Sequence, residues 1–349
     1  MQYELADERF SDVALSDPFF DSIKLDYREF EEWFRRKHEE RVSVMRNESG
    51  GIEAFLYLKE ESGPLPDVSP ALPAAHRLKI GTFKVNAHGT RLGERLLKRA
   101  FDRAVARGVS EIYVTIFPKH AAMLNLFRQY GFDEVAKKQT PNGEELVLAR
   151  PISRHSGNVL HDFPNIPTQG NQKFLLGIYP EYHTRLFPES ILNNESIANL
   201  EDVSHTNSIH KVYVCWMDLC GMRPGDAVVI YRTSDNRGPA HYRSVATSVC
   251  VVEEVRSRSS FANESEYIRF CQPYSVFEPA ELKEWWKKQR LQVIKMLYST
   301  AFLKRVNRKM LIDEAGLDAE ARWGLLPLTD SEFRNILTLG QVYDRLIVH

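Results

Sequence analysis

Two glycines, Gly89 and Gly93, stand between an apolar run, Leu78–Val85, and an amphipathic stretch from about Arg91 to Arg107. The run reads as a strand. The stretch reads as a helix, with Leu92, Leu96, Leu97, Ala100, Phe101 and Ala104 in one stripe. A glycine-containing turn at such a junction leaves backbone N–H groups free at the positive end of the helix dipole, which suits a phosphate. Glu111–Phe117 then reads as a second strand, Pro118–Tyr130 as a second helix, and Gly131-Phe132 as the turn after it. His120, near the start of that second helix, carries an imidazole, a group able to make a polar contact or move a proton near neutral pH.

Those residues need elements to hold them. Residues 16–38 space Phe19, Phe20, Ile23, Phe30, Trp33 and Phe34 among charges in a helical pattern, predicting one or two helices. Residues 41–59 read as a β-hairpin bent at Gly50-Gly51. The proline-rich residues 60–76 predict a loop. Phe132–Lys138 and Glu145–Ala149 predict two final strands around a Pro-Asn-Gly turn. Charge divides the region: residues 1–61 carry a balance of −7 and residues 77–150 a balance of +7, a local positive field of the kind a polyphosphate ligand favours. For most of Arg95, Lys98, Arg99, Arg103 and Arg107, a solvated helix face is the simpler expectation.

The stretch Leu78–Phe132, together with this element order, resembles the core of the GNAT superfamily of N-acetyltransferases. The window His88-Gly89-Thr90-Arg91-Leu92-Gly93 matches the family's Q/R-x-x-G-x-G/A phosphate loop through its glycines, with His88 in place of Gln or Arg and Arg91 in place of the middle glycine. The resemblance implies an α/β fold over residues 1–150, a mixed central sheet flanked by helices, and acetyl-CoA as cosubstrate. Carried over by position, the backbone of Phe83, Lys84 and Val85 meets the pantetheine amides. His88 belongs to the loop, and the N–H groups of Gly89, Thr90, Arg91, Leu92, Gly93 and Glu94 meet the pyrophosphate. His120 stands where many relatives have an Asn that touches CoA. Phe127 stands where they have a Tyr that protonates the departing thiolate, so that role has no bearer here, and Tyr130 one turn later reads as core. No general base is assigned. Transfer in this family needs an uncharged amine placed against a thioester carbonyl that a backbone N–H polarises.

Residues 151–171, with proline, glycine and polar residues and no periodicity, predict a linker. Beyond them KFLLGIY, KVYVC, DAVVIYRT and SVATSVCVVEEV read as strands, and PAELKEWWKKQ, FLKRVNRKMLIDEAG and TDSEFRNIL as helices. The Pro-Gly-Asp turn before DAVVIYRT resembles the PUA-like superfamily, which includes ASCH and EVE domains. That resemblance implies that residues 172–349 form an α+β domain with a small β-barrel that binds RNA or a modified base, with Lys211, Tyr213, Trp216, Tyr231 and Arg232 as candidates. Lys283, Lys287, Lys288, Arg290, Lys295, Lys304, Arg305, Arg308 and Lys309 lie near Trp285 and Trp286, a mixture that suits phosphate contact and base stacking but equally describes amphipathic helices whose tryptophans seal a core.

The 349 residues exceed one ordinary core, so two domains are expected. Four cysteines without a C-x-x-C pair argue against a disulfide framework or structural zinc, and an acidic N-terminus without a basic and apolar leader adds to the expectation of a reducing cytoplasm. No apolar run approaches a membrane span. The expected activity is acetyl transfer from acetyl-CoA to an amine, the acceptor being RNA or RNA-associated and selected by the C-terminal domain. The alternative is an inactive GNAT scaffold that binds nucleic acid or regulates.

Overall fold

The computed structural model describes residues 5–86, 91–190, 208–219 and 221–349. His88, Gly89 and Thr90 of the expected phosphate loop lie outside the described residues. The chain forms two compact units, Met1–Ile152 and Ser153–His349.

The first unit runs β1 (Leu5–Arg9), α1 (Asp21–Asp26), α2 (Phe30–Arg36), β2 (Arg41–Arg46), β3 (Ile52–Leu65), β4 (Leu72–Val85), α3 (Leu92–Arg107), β5 (Glu111–Ile116), α4 (Ala121–Gln129), β6 (Asp133–Thr140) and β7 (Gly143–Pro151). Its sheet has the order β1-β2-β3-β4-β5-β7-β6. All neighbours are antiparallel except β4 and β5, whose parallel pairing requires a crossover, which α3 supplies. Leu96, Leu97, Ala100, Phe101 and Ala104 of α3 are buried. Phe10, Phe19, Phe20, Phe30, Phe34 and Phe55 form an aromatic cluster joining α1 and α2 to β2 and β3. β1 has no counterpart among the expected elements.

Two expectations are corrected in this unit. The proline-rich segment 60–76 is mostly sheet, because β3 and β4 continue as a long hairpin around Pro66–Ala71. Pro64 falls at a register irregularity between Gly63 and Leu65, where a missing N–H costs no ladder bond. The hairpin tip is tied to β6 by reciprocal backbone bonds between Ser69 and Lys137. The basic face of α3 is not solvated throughout, since Arg95 and Lys98 are buried and Lys98 pairs with Asp102 at 2.7 Å. Arg99 and Arg103 reach Asp7 at 2.8 and 3.5 Å, Arg107 reaches Glu60, and Lys138 reaches Asp67. Much of the positive balance of residues 77–150 is therefore met by acidic residues from earlier in the chain. Burial raises the Asp7 carboxyl, but hydrogen bonds from Ser43 and Arg99 outweigh it and hold the group below its ordinary range.

The second unit runs α5 (Val159–Asp162), β8 (Ile166–Pro167), β9 (Lys173–Ile178), α6 (Pro180–Leu186), β10 (His210–Cys215), β11 (Ala227–Arg232), α7 (Ala240–Arg243), β12 (Val245–Ser257), α8 (Glu264–Cys271), α9 (Pro279–Trp286), β13 (Gln292–Asn307), α10 (Arg308–Asp313), β14 (Leu325–Leu328), α11 (Asp330–Leu339) and β15 (Ile347–Val348). Residues 151–171, expected as linker, carry the last residue of β7, α5 and β8. The main sheet has the order β10-β13-β12-β11-β9-β14, mixed through the parallel β9–β11 pair. Among the described residues no pairing joins β10 to β14, and no closed barrel is found. The segment FLKRVN, expected as helix, is the end of the 16-residue β13, and only Arg308–Asp313 turns helical. Cys215, Cys250 and Cys271 are buried free thiols. No helix among the described residues is long and apolar enough to cross a membrane.

His183, inside this unit, is fully buried and shares a 2.8 Å hydrogen bond with the Thr247 hydroxyl. Burial first, then the nearby Arg232 and Arg305, lower its pKa to about 3. The unfolded chain, whose histidine titrates near 6.5, therefore binds one more proton below that pH. Stability is complete above about pH 6.5 and falls by roughly 1.4 kcal/mol per pH unit below it, or about 2 kcal/mol by pH 5. Urea titrations at the two pH values are expected to show this loss in the wild type and little of it in His183→Gln. Equal losses in both proteins would contradict the assignment.

Candidate active site

The parallel ladder between β4 and β5 covers only Arg77–Ile80 and Glu111–Val114. Both strands continue, β4 to Val85 and β5 to Ile116, with no pairing between them. Their outer edges stay paired, β4 to β3 as far as Val85 and β5 to β7 as far as Ile116. The sheet thus opens into a cleft whose two walls are strand edges carrying backbone N–H and C=O groups without ladder partners.

The cause lies in β4. Tyr57 of β3 is opposite Thr82 and Leu58 is opposite Ile80, leaving Gly81 as the extra residue of a bulge at the point where the ladder ends. A bulge bends its strand and adds local twist, which carries Gly81–Val85 away from β5. Only glycine fits there, because a Cβ would lie 2.6 Å from the Tyr57 ring. That ring is held by Phe10 and Trp33 and by a hydrogen bond from its hydroxyl to Glu40. Gly81→Ala is expected to destabilise the first unit by about 1–3 kcal/mol in urea denaturation, the usual cost of an overpacked position. A cost below about 0.5 kcal/mol would show that the ring yields freely.

The cleft belongs to a cavity of about 660 Å³. Residues 80–85 of β4 and 114–116 of β5 line one part. Ser22, Asp26, Tyr27, Phe30 and Trp33 from the α1–α2 region, Tyr57 and Glu61 of β3, and Lys138, Thr140, Pro141 and Glu145 of the β6–β7 hairpin line the rest. Several polar groups here are fixed in pairs: the Tyr27 hydroxyl donates to Glu145 and the Tyr113 hydroxyl to Glu61. Burial first, then the accepting carboxylate, raises both phenols above their ordinary pKa, so both remain protonated. The Glu61 carboxyl is raised by burial but lowered on balance by hydrogen bonds from Tyr113 and Lys59, and stays ionised.

At the mouth of α4, His120 Nε2 lies 2.9 Å from Asp26 Oδ2, and Lys119 reaches the other oxygen of the same carboxylate. A carboxylate only accepts, so Nε2 carries a hydrogen, and in the neutral ring Nδ1 is then the nitrogen with the lone pair. This histidine–carboxylate pair lines the cavity and has the arrangement of an oriented base.

The residues singled out from sequence are distributed unevenly. Phe83, Lys84, Val85 and His120 line the cavity. The Phe83 ring itself turns away to meet Phe127 at 5.2 Å, leaving its backbone at the cleft, and the Lys84 amine donates to the Ser22 hydroxyl. Arg91 is the N-cap of α3 and makes no capping bond with its side chain. Leu92, Gly93 and Glu94 form the first turn, whose N–H groups have no partner within the helix. A Cβ at Gly93 would lie 2.9 Å from the Leu126 side chain, so this glycine also serves contact between α3 and α4. Phe127 and Tyr130 are fully buried and do not line the cavity. Asp26 and Gly81, absent from the sequence reading, complete the site. A glycine inside the strand pattern at Gly81 was the one signal available.

In the second unit the candidates Lys211, Tyr213, Tyr231 and Arg232 are buried. Lys211 lies over the Phe187 and Tyr298 rings, Tyr231 meets Trp323 at 5.2 Å, and an Arg232 N–H reaches the Arg243 carbonyl. Of the five, only Trp216 is exposed, with its edge against Trp285. Trp285 and Trp286 pack on the core among Phe277, Tyr267 and Phe261, so they seal the interior rather than offer stacking faces.

Neither a family model nor a curated protein matches the chain. Among solved structures, a variant of ZmASCH from Zymomonas mobilis is similar over 48% of this chain and 95% of its own, at 9% identity and a TM-score of 0.33. The alanine N-acetyltransferase of a ribosomal protein from Escherichia coli is similar over 44% of this chain and 98% of its own, at 20% identity and a TM-score of 0.30. A GNAT superfamily phosphinothricin acetyltransferase from Sinorhizobium meliloti, in complex with AcCoA, is similar over 43% of this chain and 89% of its own, at 17% identity and a TM-score of 0.33.

Proposed function

We propose that the first unit is an acetyl-CoA-dependent N-acetyltransferase of the GNAT kind. The observation that carries this reading is the cleft where β4 and β5 part, lined on both sides by unpaired strand edges. Such edges suit an extended ligand with its own amides, because each edge group then regains a hydrogen bond. The pantetheine arm of acetyl-CoA is such a ligand. The first turn of α3, from Leu92 to Glu94, follows β4 closely in the chain and places the positive end of the helix dipole where a phosphate would bind. The thioester carbonyl would be polarised by a β4 backbone N–H at the cleft. An amine entering between α1–α2 and the β6–β7 hairpin would lose its proton to His120 Nδ1, with Asp26 fixing the ring's tautomer.

The experiment is transfer of labelled acetyl from acetyl-CoA to polyamines, free amino acids, lysine peptides and total RNA, followed together with release of the CoA thiol. Label in one amine class with matching thiol release supports the reading. An RNA-borne amine stays in the panel as the acceptor that a PUA-like second unit would select. Tight acetyl-CoA binding without thiol release would favour the inactive scaffold, the reading that Phe127 supports by leaving the departing thiolate without a tyrosine.

A further inference from the structure

Five lysines line the cavity: Lys37, Lys59, Lys79, Lys84 and Lys138. Four have a close partner. Lys37 meets Glu40 at 2.7 Å, Lys59 meets Glu61 at 2.9 Å, Lys138 meets Asp67 at 2.6 Å, and Lys84 donates to Ser22. Among the described residues Lys79 has no ion pair and no side-chain hydrogen bond, and its ammonium lies 5.6 Å from the Tyr113 ring centroid. It sits directly opposite Lys59 in the β3–β4 ladder, an arrangement that repulsion makes unfavourable. It also sits one residue before Ile80, where the β4–β5 ladder ends and the cleft begins.

The groups around it set its charge. Burial lowers the Lys79 pKa, Glu61 and Asp67 oppose that shift, Lys138 and Lys59 add to it, and the outcome is a group below its ordinary value. An amine displaced toward its neutral form is what acyl transfer requires of a nucleophile.

Resting on the acyl-transfer reading above, we propose that Lys79 is a self-acylation site, whose amine takes the acetyl group within the cavity when no other amine fills it. The neutral Nζ attacks the thioester carbonyl, a C–N bond forms and the C–S bond breaks. Nζ gives up one proton and the CoA sulfur leaves as a thiol. The product is an uncharged acetyl-lysine beside Lys59, which relieves the repulsion between the two and occupies acceptor space. Self-acylation therefore slows later transfer to external amines.

The test incubates the full chain with acetyl-CoA alone and follows intact mass, peptide mapping and, separately, acetyl-CoA binding by calorimetry. The expected result is one acetyl per molecule on Lys79. It should form at a rate independent of protein concentration and at least about tenfold faster than on surface lysines, as proximity predicts. Lys79→Arg should lose that fast phase while binding acetyl-CoA as the wild type does. The proposal is overturned if the protein binds acetyl-CoA yet Lys79 stays unmodified. It is equally overturned if the rate falls with dilution, or if acetyl spreads over exposed lysines alike in wild type and Lys79→Arg. Absence of calorimetric binding would instead remove the acyl-transfer reading, and this inference with it.

Discussion

His120→Ala is expected to slow acetyl transfer by about 10²–10⁴-fold, the usual contribution of a positioned acid–base group. The affinity for acetyl-CoA should stay within about threefold, since the imidazole is bonded to Asp26 and the strand-edge amides of the cleft are left in place. Asp26→Asn should retain the ring but lose its orientation: an amide can donate to Nε2 as well as accept from it, so the tautomer with a free Nδ1 is no longer enforced. Its loss should be smaller than that of His120→Ala, and the double variant should be no worse than His120→Ala alone, because the two act as one unit. Single-turnover rates with the best amine from the acceptor panel measure all three proteins. His120→Ala protein that transfers within threefold of the wild-type rate would remove the histidine from the mechanism.

The second large effect concerns Arg150, which is fully buried at the end of β7. Its Nε donates to the Tyr130 carbonyl at 3.2 Å and an Nη to the carbonyls of Pro151 and Ile152, while the guanidinium lies 4.9 Å from the Phe101 ring centroid. It thereby ties the end of α4 and the Gly131-Phe132 turn to β7 and α3. Arg150→Ala leaves interior carbonyls without donors and opens a cavity beside Phe101, at an expected cost of about 3–5 kcal/mol. Hydrogen exchange of the α3 and β7 amides of the full chain in rising urea measures it. A cost under about 1 kcal/mol would mean that water or a neighbour replaces those bonds.

The scaffold was legible in the sequence wherever the pattern was local. The helix of α3, the β2–β3 bend at Gly50-Gly51 and the Gly131-Phe132 turn each rest on residues within a few positions of one another, where periodicity and turn chemistry act. The long β3–β4 hairpin was hidden because prolines signal loops, yet Pro64 falls at an irregularity where no ladder bond is lost. β13 was read partly as helix because Leu303–Asn307 continues into a helical segment without a break. Arg150 closes an apolar strand and looks like an exposed terminus, and nothing local announces that carbonyls will surround it.

Site residues follow the same division. Phe83, Lys84 and Val85 were carried over by position from the GNAT resemblance, and they line the cavity. Asp26 was not identified because it lies 94 residues from His120, and only the fold brings the pair together. The candidates Lys211, Tyr213, Tyr231 and Arg232 show the reverse case. Polar and aromatic residues in a strand pattern suggest a surface, but here they are covered on both faces of an interior sheet.

The most direct test of the cleft is a calorimetric titration of acetyl-CoA into wild-type protein and Gly81→Val. Valine at the bulge forces β4 against Tyr57 and changes the edge on which the pantetheine amides would lie. The account predicts one site per chain in the wild type, saturated well below about 1 mM, and an affinity at least about tenfold weaker in folded Gly81→Val, a difference of about 1.4 kcal/mol. No binding by the wild type up to about 1 mM, or equal affinity in the two proteins, would contradict it.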